Sequence, residues 1–243
     1  MKVAEQIREK IKKSIPESEP FGYSDLGIAP ADFFTAAKAL ERLQKKGVIK
    51  KISKGIFYKP KISIFGEMPP NYNSILQNYL YEGSKRTGYV TSYVLYNQLN
   101  LTTQMAFTTT IATNRSRKKI NIGWLKTKSV KAYVKVTEEN YPLLGILDAL
   151  KDIKLIPDSS TSSAIKILMP KIKVFAKKDV ENLIKFALQY PPRVKALLGA
   201  VIENIFRNEF ELTSLKKCLN PSTTFKLGIK NTDLPTSQNW NIV

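Results

Sequence analysis

The sequence predicts an α+β chain. A small N-terminal domain of helices closed by a basic two-stranded hairpin is followed by a larger mixed domain, with a small antiparallel sheet and a helical C-terminal part. Three observations predict this. Apolar residues recur at helical spacing over 3–14 and 30–46, and a β-branched and aromatic stretch over 48–58 turns at Ser53-Lys54-Gly55. Strand-favouring runs gather between 105 and 136, and Leu-, Ile- and Val-rich helical patterns fill much of 142–206. The expected domains are 1–62, 68–210, and a C-terminal extension over 211–243, mostly coil, where Thr, Ser, Asn and Pro dominate after Asn220.

In the first helix Val3, Ile7 and Ile11 make a stripe with Ala4 beside it, and Lys2, Arg8, Lys10, Lys12 and Lys13 lie largely outside it. Pro16 ends this helix. Ser24-Asp25-Leu26 predicts a short helix with Ser24 as N-cap, and Gly27-Ile28-Ala29 a tight turn. Pro30 suits the first position of the next helix, where its missing N–H costs nothing. Along 30–46, at about 100° per residue, Phe33, Ala36, Ala37, Leu40 and Leu43 share an arc of about 120°. Thr35, Lys38, Arg42, Lys45 and Lys46 share an opposing arc of about 100°. Phe34 fits neither arc and is expected to pack on the preceding short helix. Gly47 stops the helix, and the hairpin that follows carries Lys50, Lys51 and Lys54 on or near its tip. Helix, short helix, two-faced basic helix and basic hairpin is the order of a winged helix-turn-helix.

Beyond residue 62 the spacing predicts a helix that follows Met68-Pro69-Pro70-Asn71 and runs through Tyr81, and another capped by Thr91-Ser92 and ending near Leu101. Met105–Thr113, Lys118–Leu125 and Val130–Val136 are expected strands, the second alternating Ile120, Ile122 and Trp124 with polar or small residues, with Asn114-Arg115-Ser116 as a turn. A buried helix is expected from Pro142 to about Leu150, a short helix or strand over 164–169, and a helical hairpin from 179–189 and 193–206.

Composition narrows the chemistry. The chain has no histidine, which removes His-based nucleophile systems and His-ligated zinc, and Cys218 is its single cysteine, so no intrachain disulfide forms. No apolar run reaches the roughly 20 residues a membrane span needs, and a cytoplasmic location is expected. The net charge is +19, and its placement is uneven. Residues 1–60 hold 13 Lys/Arg against 7 Asp/Glu, while 83–136 hold 10 Lys/Arg and no carboxylate. Such a field favours a polyanion or an acidic partner.

Two catalytic motifs fail. Gly83 and Gly88 have P-loop spacing, but Tyr89-Val90 stands where Lys and Ser/Thr are needed. Gly83-Ser84 could open a nucleotidyltransferase site, yet no carboxylate follows until Glu138. Asp148 and Asp152, four apart, are expected to be solvated charges on a surface helix. No catalytic residue, metal site or cofactor is therefore expected.

Phe21-Gly22-Tyr23-Ser24-Asp25-Leu26, Ala36 to Leu43, Lys46-Gly47-Val48-Ile49 and Gly55-Ile56-Phe57-Tyr58 resemble AbiEi-type antitoxins of type IV toxin–antitoxin systems. Thr87-Gly88-Tyr89-Val90-Thr91-Ser92 leading to Leu99-Asn100-Leu101 looks like the start of that family's C-terminal domain. The resemblance implies an N-terminal domain that represses its own operon and a C-terminal domain that neutralises a nucleotidyltransferase-like toxin encoded next door. The expected DNA-binding residues are Tyr23, Ser24, Thr35, Lys38, Arg42, Lys45, Lys46, Lys50, Lys51 and Lys54, with the helix in the major groove and the hairpin lysines on phosphates. A second basic patch is expected from Lys85, Arg86, Arg115, Arg117, Lys118, Lys119, Lys126 and Lys128. It would grip DNA, RNA or an acidic protein. A nucleic-acid-processing enzyme is the remaining alternative.

Overall fold

Helix α1 (Val3–Ser14) buries Ile7 and Ile11 and leaves Arg8, Lys12 and Lys13 in water, as its apolar stripe requires. The computed structural model to which it belongs describes residues 3–115, 121–122 and 125–243. The fold is mixed α and β with small antiparallel sheets, and the chain divides into two compact units. One comprises Met1–Tyr81 with Lys118–Thr127, the other Glu82–Arg117 with Lys128–Val243.

In the first unit, strand β1 (Pro20–Gly22) follows α1, and residues 23–27 form a turn rather than the expected short helix. The reason is local. Asp25 turns its carboxylate back onto the Gly22 N–H at 2.6 Å, and Gly27 adopts φ +62, so the chain stops at two successive turn bonds, Leu26 N–H to Tyr23 O and Gly27 N–H to Ser24 O. A single 3₁₀ turn at Pro30–Asp32 leads into helix α2 (Phe33–Lys45). Strands β2 (Lys50–Ser53) and β3 (Ile56–Tyr58) form the hairpin, and the antiparallel sheet order is β1-β3-β2. Ile7, Ile11, Phe21, Leu26, Ala36, Ala39, Leu40, Leu43, Ile49 and Phe57 make one core.

The first unit continues past residue 62. Strands β4 (Lys61–Ser63) and β5 (Gly66–Met68) form a second hairpin that the sequence pattern does not announce. Glu67 ties it to the first, accepting from Lys50 Nζ at 2.6 Å and Tyr58 Oη at 3.1 Å. Helix α3 (Tyr72–Leu80) follows, capped by the Asn71 side chain on the N–H groups of Asn73 and Ser74. Tyr79 Oη donates to Ser53 Oγ at 2.8 Å and holds α3 against β2.

The second unit begins with the short ladder of β6 (Tyr81–Glu82) and β7 (Lys85–Arg86). Strand β8 (Gly88–Thr91) leads to helix α4 (Tyr93–Gln98) and then to strand β9 (Thr109–Thr113), with β8 and β9 paired antiparallel. The expected strand from Met105 starts only at Thr109. Strand β10 (Asn121–Ile122) pairs with the start of β11 (Leu125–Lys131); both belong to the first unit, and β11 enters the second at Lys128. The expected strand Val130–Val136 ends at Lys131. Asn114 explains this, since its side chain donates to Val134 O and accepts from Val136 N–H, taking the bonds a strand partner would use. Most of the expected strand Lys118–Leu125, with Ile120 and Trp124, lies outside the described residues, as does Ser116 of the turn.

Helices α5 (Tyr141–Lys151), α6 (Thr161–Lys173), α7 (Lys177–Ala187) and α8 (Pro192–Phe206) form the helical body, and the expected short element at 164–169 is a full helix. The tail holds one short helix, α9 (Thr213–Lys217), and a 3₁₀ segment at Pro235–Trp240. It is seated firmly. Trp240 lies on Gly199 of α8, where any Cβ would collide with the indole ring, and its Nε1 donates to Glu203.

Candidate nucleic-acid interface

Helix α2 separates its residues by what each face meets. Ala36, Ala39, Leu40 and Leu43 are buried, and Thr35, Lys38, Arg42, Lys45 and Lys46 are exposed. Two aromatics depart from the expected pattern. Phe33, assigned to the core face, is 47% exposed and packs on Tyr23 with ring centroids 4.7 Å apart. Phe34 is 81% exposed, because the short helix it was expected to cover is only a turn. It meets Phe33 edge-on instead.

A shallow cleft of about 170 Å³ runs along this face, lined by Ala4 of α1 and by Phe34, Thr35, Lys38, Ala39 and Arg42 of α2. Among the described residues, Lys38, Arg42, Lys46, Lys51 and Lys54 have no carboxylate within 4.0 Å. Lys45 pairs with Glu41 at 2.9 Å and Lys50 with Glu67 at 2.6 Å. These hydrogen bonds hold the Glu41 and Glu67 carboxyls below their ordinary pKa. Burial, assisted by Glu67, pushes the Tyr58 phenol up to about 12. Tyr23 is half-buried between Phe33 and the turn, where Gly55 takes φ +78, a backbone conformation that favours glycine. It is a packing residue that joins α2 to the hairpin turn, and Ser24 beside it is exposed.

The residues of the second basic patch behave differently from one another. Arg86 pairs with Glu138 at 2.8 Å and lies over the Tyr141 ring at 3.8 Å, and Arg115 pairs with Glu82 at 3.3 Å. Both arginines are thus engaged by carboxylates. Lys85, Lys126 and Lys128 are exposed and, among the described residues, have no carboxylate within 4.0 Å. Arg117, Lys118 and Lys119 lie outside the described residues.

The largest correction concerns Asp148. It is 2% exposed, not solvated, and sits on α5 facing β8. Tyr89 and Thr91, two apart on one face of β8, donate to its Oδ2 at 2.9 and 2.7 Å. Tyr190 Oη donates to Oδ1 at 3.2 Å, and Lys151 Nζ lies 3.3 Å from the same oxygen. Asp152 accepts from Tyr96 Oη at 2.9 Å. Burial, reinforced by the two carboxylates, pushes the phenols of Tyr89, Tyr96 and Tyr190 well above their usual range. Burial opposes the charge on Lys151, but Asp148 and Asp152 outweigh it and keep its pKa raised. A buried carboxylate survives only when hydrogen-bonded and paired, and this one is both. One signal in the sequence points to it. The run Pro142-Leu143-Leu144-Gly145-Ile146-Leu147 leaves α5 apolar all round, so a carboxylate within it is enclosed.

Among the described residues no three His, Cys, Asp or Glu side chains form a group able to hold a metal ion, and no helix is long and apolar enough to cross a membrane. No curated protein matches the chain. The model of the family of unknown function DUF6088 matches residues 2–183, spanning the first unit and the second as far as helix α7, and the chain belongs to that family.

Proposed function

We propose that the first unit is a winged helix-turn-helix that binds duplex DNA, with α2 in the major groove and the β2–β3 hairpin as its wing. The observation that carries this is the two-faced helix. Its apolar side closes the core of the unit, and its other side holds Thr35, Lys38, Arg42 and Lys46 in water, with the three cations lacking carboxylate partners among the described residues. The sheet order β1-β3-β2, with the helix leading directly into the hairpin, supports the reading. Cations held apart from carboxylates release counterions when they meet phosphates. Arg42 is the residue with the bidentate geometry to read guanine, and Lys51 and Lys54 supply phosphate contacts.

On the resemblance to AbiEi-type antitoxins, the target is an operator of the protein's own operon, the effect is repression, and the second unit engages a nucleotidyltransferase-like toxin from the adjacent gene. The protein acts by binding, without catalysis. The test is an anisotropy titration of promoter DNA with the intact protein and with the Lys38→Ala/Arg42→Ala double variant. The variant is expected to bind weakly with its fold intact. Unchanged affinity would sink the proposal.

A further inference from the structure

The second unit carries a cleft of about 470 Å³ that no part of the preceding reading uses. This size lies within the roughly 300–1,000 Å³ of ligand clefts. Its walls are the start of α4, the segment 104–108, strand β9 and Lys128 of β11. Two features set it apart from a folding surface. Met105 is 85% exposed and Phe107 is 92% exposed, yet the segment bearing them is tethered. Asn97 Nδ2 donates to Gln104 O at 2.7 Å, and Gln104 N–H donates to Thr102 Oγ1. Ser92, at the cleft wall, holds φ +63 and ψ −143, a conformation a serine adopts only against strain.

The chemistry of the walls selects an occupant. Phe107, Met105 and Tyr93 offer flat or pliable apolar faces, Gln104 and Thr110 offer hydrogen-bonding groups, and Lys128 offers a cation. The stretch 83–136 that contributes every one of these residues contains no carboxylate. An aromatic platform beside a lysine that has no carboxylate within 4.0 Å among the described residues matches a nucleobase and its phosphate. An acidic protein surface would use the lysine but leave the aromatic faces bare. We infer that this cleft binds single-stranded nucleic acid, stacking a base on Phe107 and holding a phosphate with Lys128. The site lies within the second unit and is independent of the duplex reading of the first.

The experiment uses the full-length protein and fluorescein-labelled strands of about twelve nucleotides, a span suited to one such site. The strands are oligothymidylate, oligouridylate and an abasic deoxyribose-phosphate chain of equal length. Binding of either base-bearing strand about tenfold tighter than the abasic one is expected, the size of one base–aromatic stack. Phe107→Ala should erase that difference while leaving abasic affinity unchanged, Phe107→Tyr should restore it, and Lys128→Ala should weaken all three strands. The Lys38→Ala/Arg42→Ala variant should bind oligothymidylate like the parent, which separates this site from the first unit. Equal affinity for base-bearing and abasic strands, no effect of Phe107→Ala, or displacement of oligothymidylate by polyglutamate at equal charge would each overturn the inference. The stronger of oligothymidylate and oligouridylate identifies the strand as DNA or RNA.

Discussion

Helix α2 holds Lys38, Arg42 and Lys46 in water with no described carboxylate beside them, whereas helix α5 encloses Asp148 among three hydroxyls and an ammonium. Both helices use their apolar residues to build a core, and they differ in what they do with charge. A solvated cation contributes almost nothing to folding, so its side chain remains available to a ligand. A buried carboxylate is committed to the fold, since its desolvation is offset only while every partner stays in place. On the proposed reading, the unpaired charge of α2 serves binding, while the buried charge of α5 serves stability.

That division can be broken from either side. The largest effect is expected at Asp148. Asp148→Ala leaves Tyr89 and Thr91 without their acceptor, leaves Tyr190 only Leu144 O and Lys151 only Asp152, and should cost about 3–5 kcal/mol in urea denaturation. A loss below about 1 kcal/mol would mean that the network does not support the fold. Next comes the Lys38→Ala/Arg42→Ala double variant. It should lose about 2–3 kcal/mol of duplex affinity, an arginine–base contact together with a phosphate contact, and keep the parent's denaturation midpoint.

Alkaline pH sharpens the comparison further. Tyr58 ionises at about 12 in the folded chain against an ordinary value near 10, so the unfolded chain loses this proton first. Stability from Tyr58 is complete below pH ~10 and is lost as pH rises through ~12. Tyr89, Tyr96 and Tyr190, also raised, add losses of the same sign from pH ~10 upward. Denaturation midpoints measured across this range should fall, and Tyr58→Phe should flatten the part between pH ~10 and ~12. The smallest effect belongs to Lys54→Ala at the hairpin turn. It should reduce the slope of log affinity against log salt by about 1 and leave sequence preference unchanged.

Much of the first unit was legible because local periodicity decides it. The arc of Ala36, Leu40 and Leu43 marks the core face of α2, and Gly55 marks the hairpin turn. Ile64 and Phe65 hide the β4–β5 turn, since neither residue is a turn former and both are 93% exposed at its tip. The turn at 23–27 is hidden because Ser24 has the chemistry of an N-cap, while Asp25 takes the Gly22 N–H. Asp148 is hidden for a longer-range reason. Its four-residue spacing from Asp152 looks like a surface pair, and its partners on β8 and at Tyr190 are 42 to 59 residues away. No local period encodes those contacts. The basic face was visible residue by residue, but the pairing of Arg86 and Arg115 with Glu138 and Glu82 was not.

Hydrogen-exchange protection of the intact protein by its promoter duplex tests the central claim most directly. The account predicts protection over α2 and the β2–β3 hairpin, and none at Tyr89, Asp148 or the helices α5 to α8. Protection confined to the second unit, with α2 unchanged, would contradict it.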